Sequence, residues 1–475
     1  MRFSTVSLTI SLCLGAAAEA LAASPAPPVP DRAFFEAHRE KLLAQLPAGS
    51  IAVFHAAPET TVETSADPYR QDSDFWYLTG LSEPDAVAVF LPAASGSRRF
   101  VLFVRPKDFA QEQWTGWRAG VEGARNDYGA GEAYPIAEFW ERFAAVSATS
   151  PSLYAESAGD EEFGRRLERA WNAANPNTRS PRPIADASPV LAALRLIKDP
   201  MEQRLLREAS EISAQAHRAA MAVVAPGGHE YDLKAAMVNM CLARGAARMA
   251  YPPIVASGRN SVILHHVQDD KTLEPGEILV NDTGCEYQMY AADVTRTYPV
   301  SGRFSPEQKA VYEIVLAAQK AGFAAVKPGT PFKDVHLATV RVVVDGLLKL
   351  GILTGDRDEI VKTRAYQKFY PHGSSHWIGL NVHDVGSYGY PPNVARLERY
   401  GLAETKLEPG MALTVEPGIY IPERSTADPK WWNIGVRVED TVLVTPGGMD
   451  CVSCAAPREL SDVERAVSDK KTRSR

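Results

Sequence analysis

The segment PGGHEYDL, Pro226–Leu233, recurs later in the chain as PGTPFKDV, Pro328–Val335. Both copies follow the pattern P-G-x-x-x-x-D-(Leu or Val), in which Pro-Gly ends one helix-like segment and the acidic residue lies near the start of the next. A β-rich stretch follows each pair of helix-like segments. The repeated order predicts a domain of two duplicated halves whose sheets face each other across a pseudo-two-fold axis. A site at their junction would draw side chains from both halves.

Local capping signals place the helices of the two halves. Asp199-Pro200 and Ser305-Pro306 each combine a capping side chain with a proline in the first turn, and Gln308 completes a capping box in the second case. A second helix is predicted over about 231–244 in the first half, and its counterpart in the second half ends near 350. This domain is therefore predicted to mix helices and sheets.

Length and charge set the broad class of the protein. The chain of 475 residues is too long for one ordinary hydrophobic core, so we expect two domains. Residues 31–185 contain the strand-like runs SIAVFHA, AVAVFLP and RRFVLFV, and NPNTRSPRPIADASP (175–189) has the composition of a boundary before a second domain at 190–460. The predicted fold class is α/β (α+β). A net charge of −7 argues against nucleic acid as a partner, because its recognition calls for a basic surface.

The first residues have the pattern of a secretory signal. Arg2 precedes an apolar run, and Ala20-Leu21-Ala22 is a small-residue cleavage pattern, so we predict a signal peptide at 1–22 and an extended linker at 23–30. A buried N-terminal helix is the alternative. No other run is apolar enough to cross a bilayer. We therefore expect a protein without a membrane span that is exported, either periplasmic or secreted.

Export would leave the remaining cysteines where disulfides persist. Cys451 and Cys454 have the spacing of a tight bridge or of half a zinc site, but no second pair completes a zinc tetrad, so we reject zinc there. Cys241 and Cys285 are expected to be structural, whether free or bridged.

Acidic residues and histidines cluster in the β-rich stretches. Asp282 follows the strand-like EILVN, Asp293 lies on a returning strand, Glu416 ends an apolar run, and Glu439 lies in the strand-like IGVRVEDTVLV. The segment HGSSHWIGLNVHDVG (372–386) holds three of the ten histidines. Each acidic residue alone is more simply explained as a solvated edge residue. Together they form an oxygen-rich set that suits two divalent cations about 3.5–4 Å apart, most readily Mn²⁺, with Co²⁺ or Zn²⁺ as substitutes.

The motifs DTGCEYQMYAAD, HGSSHWIGLNVHDVG, TVEPGIYI and GVRVED resemble those of the pita-bread metallopeptidases, and the resemblance extends over Leu194–Val444. It implies a pita-bread catalytic domain with two divalent metal ions, bridged by Asp293 and Glu439. The five metal ligands that it implies are Asp282, Asp293, His376, Glu416 and Glu439.

The first domain narrows the resemblance. PYRQDSDFWYLTGLSEPDAVAVF (68–90) is similar to the N-terminal domain of bacterial aminopeptidase P, and RPKDFAQEQWTGWRAG continues the likeness. The family implies an Xaa-Pro aminopeptidase that acts on peptides with proline at the second position, and a homo-oligomer, either dimer or tetramer. Trp114 matches a tryptophan that, in tetrameric relatives, reaches the active site of the neighbouring subunit. A buried core tryptophan is an equal alternative.

The resemblance also suggests catalytic roles. His265, His372 and His383 would line the substrate pocket, with His383 stabilising the oxyanion, and Glu416 would shuttle a proton as well as bind metal. Arg437 would orient the substrate, although a simple salt bridge to a carboxylate explains it as well.

Two other functions stay open at this point. A prolidase would share the chemistry but require a dipeptide, and a non-catalytic peptide-binding protein would share the fold. The sequence also departs from its relatives in the run Val280–Gly284 and at His266, where we expect an effect on substrate preference but none on the metal ligands.

Overall fold

A computed structural model describes residues 27–60, 68–174, 181–386, 388 and 405–469. The predicted signal peptide (1–22) lies outside the described residues, as do the first residues of the linker and of the predicted boundary segment. Among the described helices, none combines the length and the apolar character needed to cross a membrane.

The N-terminal domain is a mixed α/β structure. Its six strands form one sheet in the order β4-β3-β2-β1-β5-β6, in which β1–β2 and β2–β3 are antiparallel pairs and β3–β4, β1–β5 and β5–β6 are parallel. The elements are α1 Arg32–Gln45, β1 Ile51–His55, α2 Ser73–Thr79, β2 Val87–Phe90, β3 Phe100–Val104, α3 Phe109–Thr115, α4 Gly120–Asn126, β4 Glu132–Pro135, α5 Phe139–Ser147, β5 Leu153–Glu156, α6 Glu161–Ala173, β6 Ile184–Asp186 and α7 Ser188–Leu196.

Both faces of this sheet are buried, because neighbouring side chains of a strand point to opposite faces. In β1, Ile51 and Val53 pack with α5 and α6, whereas Ala52 and Phe54 enter a larger core that also contains α1 and α2. That larger core continues into the following domain through Leu205 and its neighbours. The two domains therefore share a continuous hydrophobic core.

The C-terminal domain repeats one order of elements, as predicted. Each half has two long helices followed by short antiparallel sheets, and the second half adds one short helix before its sheets. The elements are α8 Pro200–Val223, α9 Glu230–Ala243, β7 Arg248–Met249, β8 Ile254–Ser257, β9 Ile278–Asp282, β10 Cys285–Tyr287, β11 Tyr290–Ala291, β12 Thr295–Pro299, α10 Pro306–Ala325, α11 Phe332–Lys349, α12 Arg357–Thr363, β13 Ala412–Val415, β14 Gly418–Ile421, β15 Ile434–Arg437, β16 Asp440–Thr445, β17 Gly448–Cys451 and α13 Leu460–Ser468.

Short-range capping determines where the helices begin. The Asp199 carboxylate accepts hydrogen bonds from the backbone of the first turn of α8. The Glu202 carboxylate in turn accepts one from the Asp199 backbone N–H, which completes a capping box. Ser305 and Gln308 form the predicted capping box of α10. Both helix starts predicted from the sequence are confirmed.

The sheets of the two halves meet at one point. In the first half, β9 lies between β8 and β12; in the second, β16 lies between β13 and β17, and β14 pairs with β15. An isolated bridge between Thr295 and Glu439 links β12 of the first half to the second. The acidic residues of both halves converge beside this bridge.

Two disulfides cross-link the domain. Cys241 in α9 is bonded to Cys285 in β10, and Cys451 is bonded to Cys454. The tight bridge that the spacing of Cys451 and Cys454 allowed is therefore formed, and the first pair is bridged rather than free.

Candidate active site

A cavity of about 690 Å³ lies where the two halves meet. All nine residues predicted to form the site line it, together with Leu264, Phe332, Lys333, Pro371, Gly373, Ser375 and Tyr388. The nine are His265, Asp282, Asp293, His372, His376, His383, Glu416, Arg437 and Glu439. The sequence prediction thus identified side chains that the fold brings together in one place.

The first half contributes two carboxylates at one level of paired strands. Asp282 ends β9, and its register partner across the antiparallel ladder is Thr295, the first residue of β12. Asp293 lies just before that strand and not on it, which corrects the sequence prediction. The Tyr251 hydroxyl is 2.6 Å from Asp282 Oδ1 and 2.6 Å from Asp293 Oδ1, so it bridges the two carboxylates.

The second half contributes Glu416 and Glu439. Glu416 directly follows β13, as the apolar run predicted. Glu439 does not lie within a strand, which corrects the sequence prediction: it falls between β15 and β16, where the chain passes from one sheet to another. Its backbone N–H donates to Thr295 O at 3.1 Å, and its Oε2 accepts from Thr295 Oγ1 at 2.6 Å. Glu439 is thus held by this contact with the first half and not by strand pairing within its own half.

His376 faces the carboxylates through one nitrogen. Its Nδ1 donates to the Trp377 carbonyl at 3.0 Å, since a carbonyl can only accept. Its Nε2 lies 3.3 Å from Asp293 Oδ2 and 3.7 Å from Glu416 Oε1, so in the neutral ring this nitrogen would share a bound cation with the carboxylates. Metal-ligating histidines have this arrangement, with the second ring nitrogen fixed by a backbone carbonyl.

The donor set fits divalent cations. Ligand atoms of Asp293, His376 and Glu439 all lie within 4.8 Å of one another. Burial raises the pKa of Glu439 well above its usual value and that of Glu416 to about 7, so the cluster resists carrying its full negative charge alone. Carboxylates and one imidazole around a shared centre suit hard divalent ions, whose charge offsets this cost.

Arg437 is held by several hydrogen bonds. Its Nη2 donates to Asp282 Oδ2 at 2.6 Å, its Nη1 to the Tyr420 hydroxyl at 2.7 Å, and its Nε to Thr295 Oγ1 at 3.1 Å. The salt bridge considered from the sequence is confirmed. Arg437 also lines the cavity, which is compatible with its predicted role in orienting the substrate. That role stays a prediction.

The three other histidines reach the cavity from different segments. His372 shares a hydrogen bond with the Tyr420 hydroxyl at 2.9 Å, and its Nδ1 is 3.5 Å from Glu416 Oε2. The His383 ring lies edge-on to His376, with ring centroids 4.3 Å apart. His265 comes from the first half, so the pocket has walls from both halves as predicted.

Sequence reasoning missed the hydroxyl residues that connect the site. Tyr251, Thr295 and Tyr420 each bond to a predicted site residue. Tyr251 and Thr295 lie outside the quoted motifs, and Tyr420 lies within TVEPGIYI, but nothing in that motif indicates its bond to Arg437. At the two departures from relatives, His266 and Asn281 bond to residues outside the predicted site. His266 Nε2 is 3.0 Å from Glu230 Oε2, and Asn281 donates to the Tyr298 hydroxyl at 2.9 Å. Neither lines the cavity.

Trp114 is 87% exposed on α3, so the alternative of a buried core tryptophan is wrong. Its side chain does not line the cavity of its own chain.

Comparison with known proteins agrees with this geometry. Residues 204–446 match the model of metallopeptidase family M24, and residues 35–154 match that of the aminopeptidase P N-terminal domain. The chain is 38% identical to the Xaa-Pro aminopeptidase of Haemophilus influenzae over 437 residues, which is 91% of this chain and 97% of that protein. It is 37% identical to the Xaa-Pro aminopeptidase of Escherichia coli over 435 residues, or 90% of this chain and 96% of that one.

Solved structures show the same fold. The aminopeptidase PepP of Pseudomonas aeruginosa superimposes with a TM-score of 0.87 at 40% identity, covering 94% of this chain and all (100%) of that one. Aminopeptidase P from E. coli with the inhibitor Pro-Leu gives 0.86 at 36% identity, covering 93% and 99%. The predicted N-terminal α/β domain and pita-bread C-terminal domain are thereby confirmed. The chain belongs to metallopeptidase family M24, carries the aminopeptidase P N-terminal domain, and is a metallo-aminopeptidase.

Proposed function

We propose that this metallo-aminopeptidase is an Xaa-Pro aminopeptidase with two divalent metal ions, which hydrolyses the bond between an N-terminal residue and a following proline. The observation that carries the proposal is the convergence of five candidate ligands and four further polar side chains on one cavity. The names of the two bacterial relatives, both Xaa-Pro aminopeptidases, support the choice of substrate.

The candidate ligands divide between two ions. Asp282 and Asp293 would hold one, His376 and Glu416 the other, with Asp293 and Glu439 shared between them. When bound, divalent cations stabilise developing negative charge and lower the pKa of a water molecule toward neutrality. Mn²⁺ is the proposed metal, with Co²⁺ or Zn²⁺ able to replace it, because the set is rich in carboxylates.

The remaining side chains bind and orient the peptide. The substrate's N-terminal ammonium would lie beside the acidic pair of the first half, which limits action to the chain end. Glu416 would pass a proton from the attacking water to the leaving proline nitrogen, and His383 would hydrogen-bond the oxyanion. His265, His372 and Arg437 would line the space for the proline ring and the peptide carbonyl.

Proline at the second position explains why such a site is needed. The bond to proline is a tertiary amide without an N–H, so a peptidase pocket that relies on that donor rejects it. We expect replacement of the second-position proline by alanine to lower kcat/KM by at least about 10²-fold. The test compares Arg-Pro-Pro with Arg-Ala-Pro and Gly-Pro-Pro. Equal cleavage of the first two would indicate a general aminopeptidase, and cleavage of Xaa-Pro dipeptides alone a prolidase. Binding without cleavage would indicate a peptide-binding protein.

Chelation tests the metal. We expect a chelator to abolish turnover, to lower the melting temperature by removing a bound ligand, and to leave no divalent ion in elemental analysis. Adding Mn²⁺ or Co²⁺ should restore all three readouts. Full activity in protein without a divalent ion would contradict the proposal.

We further propose that the protein is exported to the periplasm or secreted. The two disulfides support this, because such bonds persist in oxidising compartments. N-terminal sequencing of the mature protein should begin near Ala23; an intact Met1 would contradict export.

We also propose a homo-oligomer, supported by the exposed Trp114. Light scattering on the purified protein should give the mass of a dimer or tetramer. Trp114→Ala should lower activity while leaving the free energy of unfolding of a single chain nearly unchanged.

A further inference from the structure

The segment 380–385 carries His383 to the cavity without belonging to a helix or strand. Its own backbone gives it little support: the Asp384 N–H donates to Trp377 O at 2.9 Å, and the Gly379 N–H to Asn381 O at 3.1 Å. The support of the side chains beside His383 therefore contributes to its position.

Arg195 on α7 holds the segment by two residues that flank His383, one on each side. Its Nη2 donates to Asn381 Oδ1 at 2.6 Å and to Asp384 Oδ1 at 2.5 Å. The other oxygen of Asp384 accepts from Lys198 Nζ at 3.0 Å. With a cation on each of its oxygens, the Asp384 carboxylate has a fixed orientation.

Arg195 is held in turn by α2, which belongs with α7 to the N-terminal domain. Its Nη1 donates to Asp74 Oδ1 on α2 at 2.8 Å. Asp74, Arg195 and Asp384 are 5%, 2% and 6% exposed, so the chain of charges is shielded from water. In such surroundings the loss of one partner leaves a buried charge uncompensated, and the remaining groups move or take up water.

A second contact from the N-terminal domain reaches the start of the same segment. Arg70 Nη2 donates to the Leu380 carbonyl at 2.6 Å, while its Nε donates to Glu286 Oε2 at 2.6 Å. The N-terminal domain thus contacts the segment directly at Leu380 and, through Arg195, on both sides of His383.

We propose that Asp74, acting through Arg195, is a positioning residue that fixes His383 in the cavity, so that the N-terminal domain sets the geometry of a catalytic-domain side chain. The proposal rests on the proposed function, because it uses the role assigned there to His383. It extends that function by giving the N-terminal domain a part in turnover within a single subunit.

Asp74→Asn tests the link, because it keeps the shape of the side chain and removes its charge. We expect kcat for Arg-Pro-Pro to fall about 10-fold, with KM and metal content nearly unchanged, since misplacing a group that acts in the transition state affects kcat first. Arg195→Lys keeps the charge and should recover part of the activity that Arg195→Met loses.

A double-mutant cycle separates positioning from general damage. In a His383→Ala background, Asp74→Asn should cause no further loss of kcat, because the side chain that it positions is absent. An equal loss in both backgrounds would overturn the proposal.

Hydrogen exchange gives a readout that does not depend on the substrate. Amides of 380–385 should exchange faster in Asp74→Asn than in the unaltered protein, even if Arg-Pro-Pro proves to be a poor substrate. Inactivity of the unaltered protein would refute the proposed function, whereas unchanged exchange would refute the positioning role.

Arg182→Met is the matched control. Arg182 bonds the carbonyls of Ser147 and Trp171 within the N-terminal domain, at 3.2 and 3.3 Å. Its replacement should lower the melting temperature without changing kcat or exchange in 380–385. A fall in kcat as large as that of Asp74→Asn would show that instability of the domain is enough, and would overturn the proposal.

Discussion

Two loops line the same cavity but are held in place by different parts of the molecule. Beside His265, the His266 ring is paired with Glu230 at 3.0 Å, and Glu230 also accepts hydrogen bonds from Ser257 N at 2.6 Å and Ser257 Oγ at 2.8 Å. These residues all belong to the first half of the catalytic domain. Beside His383, Asp384 is held by a relay that ends in the other domain.

The difference shows how one pocket depends on two domains. The wall with His265 is supported within the catalytic domain, by its own half and by β15 of the second half, whose Gly435 N–H donates to Ser261 Oγ at 3.0 Å. The wall with His383 also requires the N-terminal domain to be docked. Changes in that domain should therefore alter the His383 wall and spare the other.

A change in a candidate metal ligand, which belongs to neither loop, should have the largest effect. Glu439 is one of the two candidate ligands, with Asp293, whose carboxylates both ions would share, and Glu439→Gln replaces it by a neutral amide. We expect loss of bound metal and of measurable turnover, since the amide supplies no charge to either ion. Elemental analysis of the purified variant measures the metal, and retention of two ions would contradict the assignment.

Removing the loop side chains themselves should have the next largest effect. His383→Ala should keep its metal and lose about 10²–10³ in kcat, the usual contribution of one oxyanion donor. His265→Ala should act more on KM, because it lines the binding space. The comparison would fail if both variants lost metal to the same extent as Glu439→Gln.

Breaking the local support sharpens the contrast between the loops. Glu230 is fully buried and accepts several hydrogen bonds, so Glu230→Gln should lower the free energy of unfolding by about 1–3 kcal/mol in urea titrations. Exchange of the amides around His265 should rise, while exchange in 380–385 stays unchanged. Faster exchange in both loops would mean that their supports are not separate.

The smallest effect concerns His336 on α11, which lies between the two loops in the sequence. Burial lowers the pKa of His336 to about 3, and its Nδ1 is 2.7 Å from Ser374 Oγ, beside His376. The unfolded chain, with an ordinary histidine pKa of 6.5, binds the proton first, so stability is lost as the pH falls below that value.

His336→Asn keeps a polar atom near the position of Nδ1 but does not titrate. Between pH 7.5 and 5.5, the unaltered protein should lose about 1 kcal/mol more unfolding free energy than this variant. Urea titrations at the two pH values measure the difference, and parallel losses would contradict the assigned pKa direction.

Local chemistry explains what the sequence could predict. The capping boxes at Asp199 and Ser305 involve residues three positions apart, and the acidic residues follow short apolar strands. The duplicated order of elements and the acidic cluster could therefore be anticipated, whereas the pocket residues His265 and Arg437 were implied by the resemblance to the pita-bread metallopeptidases.

Contacts between distant segments explain what it could not. Glu439 leaves the strand ladder because it bonds Thr295, which is 144 residues away in the chain. Arg195 reaches Asp384 across 189 residues, and Asp74 across 121. The spacing of charges along a chain contains no record of such pairs, so neither the relay nor the bridging Tyr251 could be foreseen.

The disulfide between Cys241 and Cys285 closes a covalent loop with a sequence separation of 44 that contains Tyr251, His265 and Asp282. Near its middle, Ile263 and Val267 are 51% and 48% exposed, which makes this stretch accessible to other proteases. A cut there would leave two fragments joined through sulfur, so the nicked enzyme would run as one band on a gel without reductant and as two bands with it. Beyond its effect on folding, the bridge is thus a tether that retains both pieces of a damaged active-site wall.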